Sequence, residues 1–271
     1  MIKKRFTIYA RNLKSLMLSI VMNIFQNNTY KVNRGIAKGL RRKGGLGFVP
    51  SYSKQTNEDS FLIEQQSLLE NKIVYDIGAN NGLFSLFFAR AVGPKGQVLA
   101  IEPNPACFKQ LSDNISINNF SNVRACKFAI GKDNYSDTMA FSKLYMGQGS
   151  LDTTIKERTL KSKTSSVIDI EVFSLDYLIK NKNYPIPDFI KIDVEGLEND
   201  VLVGMKEIIK EYKPQIFLEN HGATVKEKVN NIESIIEILS NNGYNIHHIE
   251  TRQTIEKHNA AQAKEGHIYC T

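Results

Sequence analysis

Several residue patterns that often identify a class of protein are missing from this chain of 271 residues. It has no tryptophan and only three cysteines. Cys107, Cys126 and Cys270 form no Cys-x-x-Cys pair, which argues against a zinc ribbon or a thiol redox motif. An odd number of cysteines favours a reduced, intracellular chain. His247 and His248 are adjacent rather than spaced as metal ligands, so the sequence predicts no metal site.

Acidic residues are scarce near the N-terminus. Residues 1–60 contain 12 Lys and Arg but only 2 Asp and Glu. The rest of the chain holds 23 basic and 26 acidic side chains, so the net charge of +7 belongs to the N-terminal part. Because the main part is slightly acidic, the overall basic charge does not indicate a nucleic-acid site there.

Long hydrophobic runs are also missing. Residues 13–25 are largely apolar but shorter than the ~20 residues that a spanning helix needs. Their apolar positions recur with a helical period, which predicts an amphipathic helix that packs on the domain or lies at a membrane surface. We therefore expect a basic helical arm and linker over residues 1–55. We also expect a cytoplasmic protein with peripheral contact to the inner face of the membrane through residues 1–30.

The most informative pattern that is present lies between residues 73 and 102. A β-branched apolar run, 73–77, contains Asp76 and leads into a turn with Gly78 and Gly82. An apolar, helix-like segment follows, and a second apolar run ends at Glu102, twenty positions after Gly82. This β-α-β arrangement is typical of nucleotide-binding sheets, in which the acidic residue accepts hydrogen bonds from a ribose.

The spacing of this turn narrows the kind of nucleotide. It reads Asp-x-Gly-x-x-x-Gly rather than Gly-x-Gly-x-x-Gly, and no Gly-Lys-Ser/Thr signature occurs. A buried Asp76 would repel a pyrophosphate, so the turn favours a nucleoside with a cationic tail. S-adenosylmethionine has this description and is the predicted cofactor. The predicted cofactor-binding residues are Asp76, Gly78, Ala79, Asn80, Gly82, Phe84, Glu102 and Ala129.

Strand-like and helix-like patterns alternate along residues 56–271, which we expect to form one domain. This alternation predicts a mostly parallel sheet covered by helices on both faces, with ligands bound beyond the C-terminal ends of the strands. The predicted strands are 73–77, 98–102, 123–130, 138–142, 169–173, 188–193, 215–219, 244–250 and 266–271. The main predicted helices are 58–69, 82–92, 105–118, 174–180, 199–212 and 224–241.

Two of these strand ends carry candidate catalytic residues, Asp193 with Glu195, and His221. Methyl transfer to a hydroxyl requires alignment of the reacting atoms and is helped by a general base. The ordinary pKa of histidine, about 6.5, suits such a base. Three structural alternatives stay open: Asp193 could cap a turn, Glu195 could lie at a helix start, and His221 could simply end a strand.

Three segments together resemble the FkbM family of S-adenosylmethionine-dependent methyltransferases. They are residues 74–82, residues 101–105 (Ile-Glu-Pro-Asn-Pro) and residues 189–196, which end in Asp-Val-Glu-Gly. The resemblance implies a class I methyltransferase fold, a Rossmann-like α/β sheet of seven strands with the last one antiparallel. It also implies an O-methyltransferase that acts on a hydroxyl of a sugar, glycan, lipid-linked saccharide or small metabolite. The expected partner is therefore a small-molecule or saccharide acceptor.

Three other functions remain as alternatives. The basic arm raises the possibility of an RNA methyltransferase, although no Asn-Pro-Pro-Tyr-like or cysteine-based base-methylating signature is present. The spacing of the turn argues against a nicotinamide dehydrogenase. A catalytically degenerate module would bind S-adenosylmethionine without turnover.

Overall fold

The computed structural model describes residues 27–44, 56–142, 149–150 and 165–271. In these ranges the strands are β1 Thr29–Lys31, β2 Arg41–Lys43, β3 Ile73–Ile77, β4 Gln97–Ile101, β5 Val123–Cys126, β6 Ala129–Ile130, β7 Tyr135–Ser142, β8 Gly149–Ser150, β9 Ser165–Phe173, β10 Phe189–Ile192, β11 Gln215–Glu219, β12 Ile246–His248, β13 Gln253–Thr254 and β14 His267–Cys270. The α-helices are α1 Asn57–Glu64, α2 Leu83–Val92, α3 Pro105–Ile117, α4 Leu175–Lys182, α5 Glu198–Val203, α6 Lys206–Glu211 and α7 Val225–Asn241. Two 3₁₀ helices cover Gln66–Leu69 and Lys257–Ala263.

The central sheet has the strand order β13-β12-β14-β11-β10-β3-β4-β5. The five strands from β11 to β5 run parallel, whereas β14 is antiparallel to both of its neighbours. The predicted class I methyltransferase sheet with an antiparallel last strand is thus confirmed. In the described residues the central sheet has eight strands instead of the predicted seven. The additional strand is the two-residue strand β13, which pairs with β12 at the edge of the sheet.

Strand β3 shows how the sheet is covered on both faces. Its alternate side chains point to opposite faces, so Tyr75 packs in one core cluster and Val74 in another. Val74 lies in the same cluster as Phe87 and Phe88 of helix α2. Asp76 lies on the same face as Val74, and this places its carboxylate beneath α2 rather than in solvent.

The predicted strand over residues 123–130 has the wrong boundaries. Strand β5 ends at Cys126, and β6 belongs to a separate sheet of order β6-β9-β7-β8. Ala129 packs there against Met139, Ile170 and Val172. Its predicted place against adenine depended on the longer strand, and the structure removes that reason.

The predicted helix over residues 199–212 is two helices, α5 and α6. A Cβ at Gly204 would lie 2.0 Å from the carbonyl oxygen of Gly131, so the chain passes very close to another backbone here. The carboxylate of Asp176 accepts hydrogen bonds from the N–H groups of Glu207 and Ile208, each at 3.1 Å. Asp176 therefore caps α6 in place of the carbonyls that a continuous helix would supply.

Residues 27–44 are not a linker. Strands β1 and β2 form an antiparallel hairpin whose connection buries Val32, Ile36 and Ala37. The N–H of Lys43 donates to Oδ1 of Asn114 at 2.7 Å, and Nδ2 of the same asparagine donates to the carbonyl of Asn81 at 2.7 Å. The hairpin is therefore tied to the main domain. The predicted helix over residues 13–25 lies outside the described residues.

Among the described helices, none combines the length and the apolar character needed to cross a bilayer. The three cysteine thiols are free and buried. Helix α1 begins after Thr56, which is its N-cap and forms a capping box with Asp59.

Candidate functional site

The turn after β3 is held against two other strand ends. Gly78 and Gly82 have φ angles of 84° and 86°, a region that favours glycine. A Cβ at Gly78 would lie 1.8 Å from the carbonyl oxygen of Asp193, so the backbones after β3 and β10 nearly touch. The N–H groups of Gly78 and Ala79 both donate to the carbonyl of Ile101, at 3.0 and 2.9 Å. The predicted cofactor turn and the predicted catalytic segment are thus neighbours.

Glu102 is oriented by two backbone hydrogen bonds. Its Oε2 accepts from the N–H of Asn80, and its Oε1 accepts from the N–H of Asn104, each at 2.8 Å. Each carboxylate oxygen has a second lone-pair site, so both can still accept a ribose hydroxyl. Burial raises the pKa of Glu102 to about 7, although the two N–H donors oppose this shift.

Asp76 is fully buried and has one hydrogen-bonded oxygen. Ser85 of helix α2 donates its hydroxyl to Oδ2 at 2.5 Å. Oδ1 is buried without a hydrogen-bond partner among the described residues. Burial raises the pKa of this carboxyl, and the Lys191 ammonium opposes the rise. An unsatisfied buried acceptor fits a cofactor with an ammonium group, which could complete the bonding directly or through water.

Phe84 faces a cation that the sequence analysis did not single out. The ammonium of Lys191 lies 4.5 Å from the centroid of the Phe84 ring and 3.0 Å from Oδ2 of Asp193. Burial lowers the pKa of Lys191, but the carboxylates of Asp193 and Asp76 outweigh it and hold the pKa above its ordinary value. Lys191 thus compensates the charge of two carboxylates at once, the fully buried Asp76 and the half-buried Asp193. Its only signal in the sequence was a lysine in an otherwise apolar strand, two positions before Asp193.

The predicted catalytic residues converge with one more carboxylate. Asp193 Oδ1 and Glu195 Oε2 each lie 3.9 Å from Nε2 of His221, and Glu219 Oε1 lies 3.6 Å from the same nitrogen. We call Asp193, Glu195, Glu219 and His221 the carboxylate–histidine cluster. These separations are too long for hydrogen bonds. Glu195 has a positive φ of 54°, which fits the sharp turn between β10 and α5.

A further residue that sequence reasoning missed is Glu198. Its side chain is 1% exposed, and Oε1 lies 2.9 Å from Nδ1 of His221 and accepts the N–H of Gly196 at 3.0 Å. A carboxylate can only accept, so Nδ1 is the donor and Nε2 is left facing the cluster. Nothing in the sequence separates Glu198 from an ordinary acidic residue at a helix start.

The surroundings shift the pKa values of three residues of the cluster. Burial lowers the pKa of His221, but Glu198, Glu219 and Asp193 outweigh this effect and raise the pKa from the ordinary value of about 6.5 to about 9. Burial also opposes ionisation of Asp193, yet Lys191 and His221 hold its pKa below the ordinary value. For Glu195, burial raises the pKa. The free site at neutral pH therefore contains an imidazolium among carboxylates.

Three members of the cluster also form a set of metal-ligand atoms that the sequence spacing did not predict. One ligand atom each from Asp193, Glu219 and His221 lies within 4.8 Å of the other two. The residues come from two different strand ends. Only the fold brings them together.

Comparison with known proteins identifies the family to which this chain belongs. A model of the methyltransferase FkbM domain matches residues 76–246, more than half of the chain. Methyltransferase 1 of Beauveria bassiana is 30% identical over 151 residues, which cover 51% of this chain and 60% of that protein. Hexuronic acid methyltransferase AglP of Haloferax volcanii is 26% identical over 141 residues, 52% of this chain and 53% of that protein. The chain thus spans less than two thirds of each of these relatives.

Among solved structures, the methyltransferase FkbM of Methylobacillus flagellatus KT is similar with a TM-score of 0.46 and 20% identity. The match covers 74% of this chain and 43% of that one. The matched domain is a methyltransferase domain, and S-adenosylmethionine is the methyl donor predicted for it. The oriented Glu102 carboxylate and the unsatisfied oxygen of Asp76 fit its ribose and its ammonium.

Proposed function

The chain belongs to the FkbM methyltransferase family, and on that premise we propose that it transfers a methyl group to a hydroxyl of a saccharide, a lipid-linked saccharide or a small metabolite. The main support is the close approach of Gly78 to the carbonyl of Asp193. This contact brings the predicted cofactor turn and the carboxylate–histidine cluster next to each other, as transfer between two bound substrates would require. The name of one relative, a hexuronic acid methyltransferase, favours a sugar among these acceptors.

The residues of this chain would bind and orient the two substrates. When bound, S-adenosylmethionine supplies the methyl group on a positively charged sulfur. Glu102 would accept hydrogen bonds from the ribose hydroxyls, and the carboxylates of the cluster would favour the positive charge. Holding the acceptor oxygen in line with the methyl group can contribute several kcal/mol to lowering the barrier.

The acceptor hydroxyl must lose its proton as the new bond forms. Asp193 is held ionised by Lys191, so its Oδ1 can accept the hydrogen bond of that hydroxyl. His221 carries a proton in the free site and can act as the base only after it loses that proton, which a nearby bound cation would favour. Glu195, at the rim of the cluster, would bind a second hydroxyl of the acceptor.

A panel of acceptors tests this function. The full chain is incubated with methyl-labelled S-adenosylmethionine and with hexuronic acids, neutral hexoses, their glycosides and structured RNA. We expect S-adenosylhomocysteine and labelled product with at least one saccharide. We expect no labelled product from the same saccharide when its accepting hydroxyl has been methylated beforehand. Asp193→Asn should abolish this turnover. Label that enters only RNA would favour the RNA methyltransferase, and tight cofactor binding without any turnover would favour the degenerate module.

We also propose that residues 1–30 contact the inner face of the membrane peripherally, from the cytoplasm. The basic charge and the apolar period of this segment favour attraction to anionic lipid. Flotation with anionic vesicles compares the full chain with a deletion of residues 1–30. Equal partitioning of the two proteins would contradict the membrane contact.

A further inference from the structure

The carboxylate–histidine cluster contains three polar atoms that no described residue satisfies. Lys191 occupies Oδ2 of Asp193, which leaves Oδ1 facing the cluster. Within the described ranges, no hydrogen bond reaches that oxygen, Oε1 of Glu219 or Nε2 of His221. The side chains of Asp193, Glu219 and His221 are 27%, 33% and 19% exposed, so two acceptor oxygens and a ring nitrogen converge where a ligand can reach them.

The second nitrogen of His221 is independently fixed. Glu198, whose side chain is 1% exposed, holds Nδ1 at 2.9 Å and takes the N–H of Gly196 on the same oxygen. In metal sites, a ligating histidine commonly donates its other ring N–H to a carboxylate, which fixes the ring and presents a lone pair to the metal. The buried carboxylate of Glu198 has that place here.

From this arrangement we propose that Asp193, Glu219 and His221 hold a divalent metal cation through Oδ1, Oε1 and Nε2. Nε2 lies 3.9 Å from Asp193 Oδ1 and 3.6 Å from Glu219 Oε1. Two ligands of a tetrahedral cation at about 2.1 Å would be about 3.4 Å apart. One ligand atom of each residue lies within 4.8 Å of the other two, so side-chain rotations would bring all three to this spacing.

The donor set indicates which cations fit. Two carboxylate oxygens and one imidazole nitrogen suit Mn²⁺, Fe²⁺ or Zn²⁺ better than Mg²⁺, which prefers oxygen and water ligands. Three protein ligands leave at least one position open, as in metal sites that bind a substrate oxygen. Resting on the proposed function, we assign that position to the acceptor hydroxyl, whose pKa a bound cation would lower. In the metal-bound form, Nε2 of His221 gives up its proton to solvent. Nε2 of His221 and Oδ1 of Asp193 then bind the cation in place of the base role and the hydrogen bond proposed for the metal-free site.

Direct binding of Mn²⁺ to the full chain tests the site without any acceptor. The protein is stripped of metal with a chelator, and free Mn²⁺ is followed by electron paramagnetic resonance during a titration. We expect one saturable site per chain, with an affinity lower by roughly tenfold or more in Asp193→Asn and in Glu219→Gln. Spin-echo spectra of bound Mn²⁺ should show coupling to an imidazole nitrogen that disappears in His221→Gln.

Glu265→Gln is the matched control, because this exposed carboxylate pairs with Lys228 and lies outside the cluster. It should bind Mn²⁺ like the wild type. S-adenosylmethionine binding is measured on the same samples, and its retention shows that each variant is folded. Absence of a saturable site in the wild type, or equal binding by all variants, would refute the cation site while leaving the methyltransferase function intact. Mn²⁺ binding without cofactor binding would instead refute the proposed function.

Discussion

The buried Glu198 and the half-buried His221 form a pair in which a carboxylate oxygen lies 2.9 Å from Nδ1 of the imidazole. The pair joins the first residue of α5 to the loop after β11, 23 positions away in the chain. It decides which ring nitrogen faces the carboxylate–histidine cluster. It is also the largest of the contacts that raise the pKa of His221.

Replacing Glu198 should therefore change the titration of His221. In metal-free Glu198→Gln protein we expect the pKa of His221 to fall below about 9, because the imidazolium loses its nearest negative charge. The measurement is an NMR pH titration of the His221 ring signals, identified by their loss in His221→Gln. Glu265→Gln should leave the curve in place. An unchanged pKa in Glu198→Gln would show that Glu198 does not position His221.

Glu102→Ala should weaken S-adenosylmethionine binding by roughly tenfold to a hundredfold, since a hydrogen bond to a charged group contributes about 1.5–3 kcal/mol. The change removes the ribose acceptor and also the anchor of Asn80. Isothermal calorimetry measures the dissociation constant. Glu265→Gln should bind with wild-type affinity. Equal affinity in Glu102→Ala would remove Glu102 from the cofactor site.

The affinity for the cofactor should rise with pH up to about 7 and then level off. The pKa of Glu102 is raised to about 7 by burial, so at lower pH a proton must leave before the carboxylate can accept both hydroxyls. Calorimetry at pH 6 in buffers of different ionisation enthalpy should show proton release on binding. Glu102→Gln should show less release. Equal proton release in both proteins would assign the pH dependence to another group.

Gly78→Ala should destabilise the fold far more than Gly39→Ala. Both glycines have positive φ angles, 84° and 90°, so the backbone strain is similar. A Cβ at Gly39 meets no atom within 4 Å, whereas a Cβ at Gly78 collides with the carbonyl of Asp193. Urea unfolding should show a loss of about 1 kcal/mol for Gly39→Ala and a clearly larger loss for Gly78→Ala. Similar losses would mean that the two loops can separate.

Ser85→Ala should lower the free energy of unfolding by about 1–3 kcal/mol, the cost of leaving a buried acceptor unsatisfied. It removes the hydroxyl that Asp76 accepts at 2.5 Å. Ser112→Ala is the control, because that hydroxyl donates to the carbonyl of Phe108 within a helix. The control should change stability by less than about 0.5 kcal/mol. An equal effect of the two changes would contradict the role of Ser85.

The parts of the fold that were predicted correctly are those with strong local signals. The run 73–77 coincides with β3, and the helix predicted over residues 224–241 begins at a capping box of Thr224 with Glu227. The acidic residues at the strand ends, Asp76 and Glu102, were visible because the rule about strand ends needs only local patterns.

The parts that were missed depend on contacts between distant residues. The break between α5 and α6 requires Asp176, about 30 positions earlier, to cap the second helix. Strand β5 is shorter than predicted because Ala129 belongs to β6, which pairs with β9 in another sheet. Glu198 and Lys191 look ordinary in the sequence, and their roles follow from burial beside His221 and Asp193. Local patterns contain no information about such partners.

Asn114 gives the hairpin of residues 27–44 a consequence for ligand binding. One side-chain amide accepts from Lys43 and donates to the carbonyl of Asn81 in the cofactor turn. The two contacts therefore share a single rotamer. A ligand that stabilises the turn therefore also stabilises the hairpin. By thermodynamic reciprocity, a partner that stabilises the hairpin raises the affinity of the turn for its ligand.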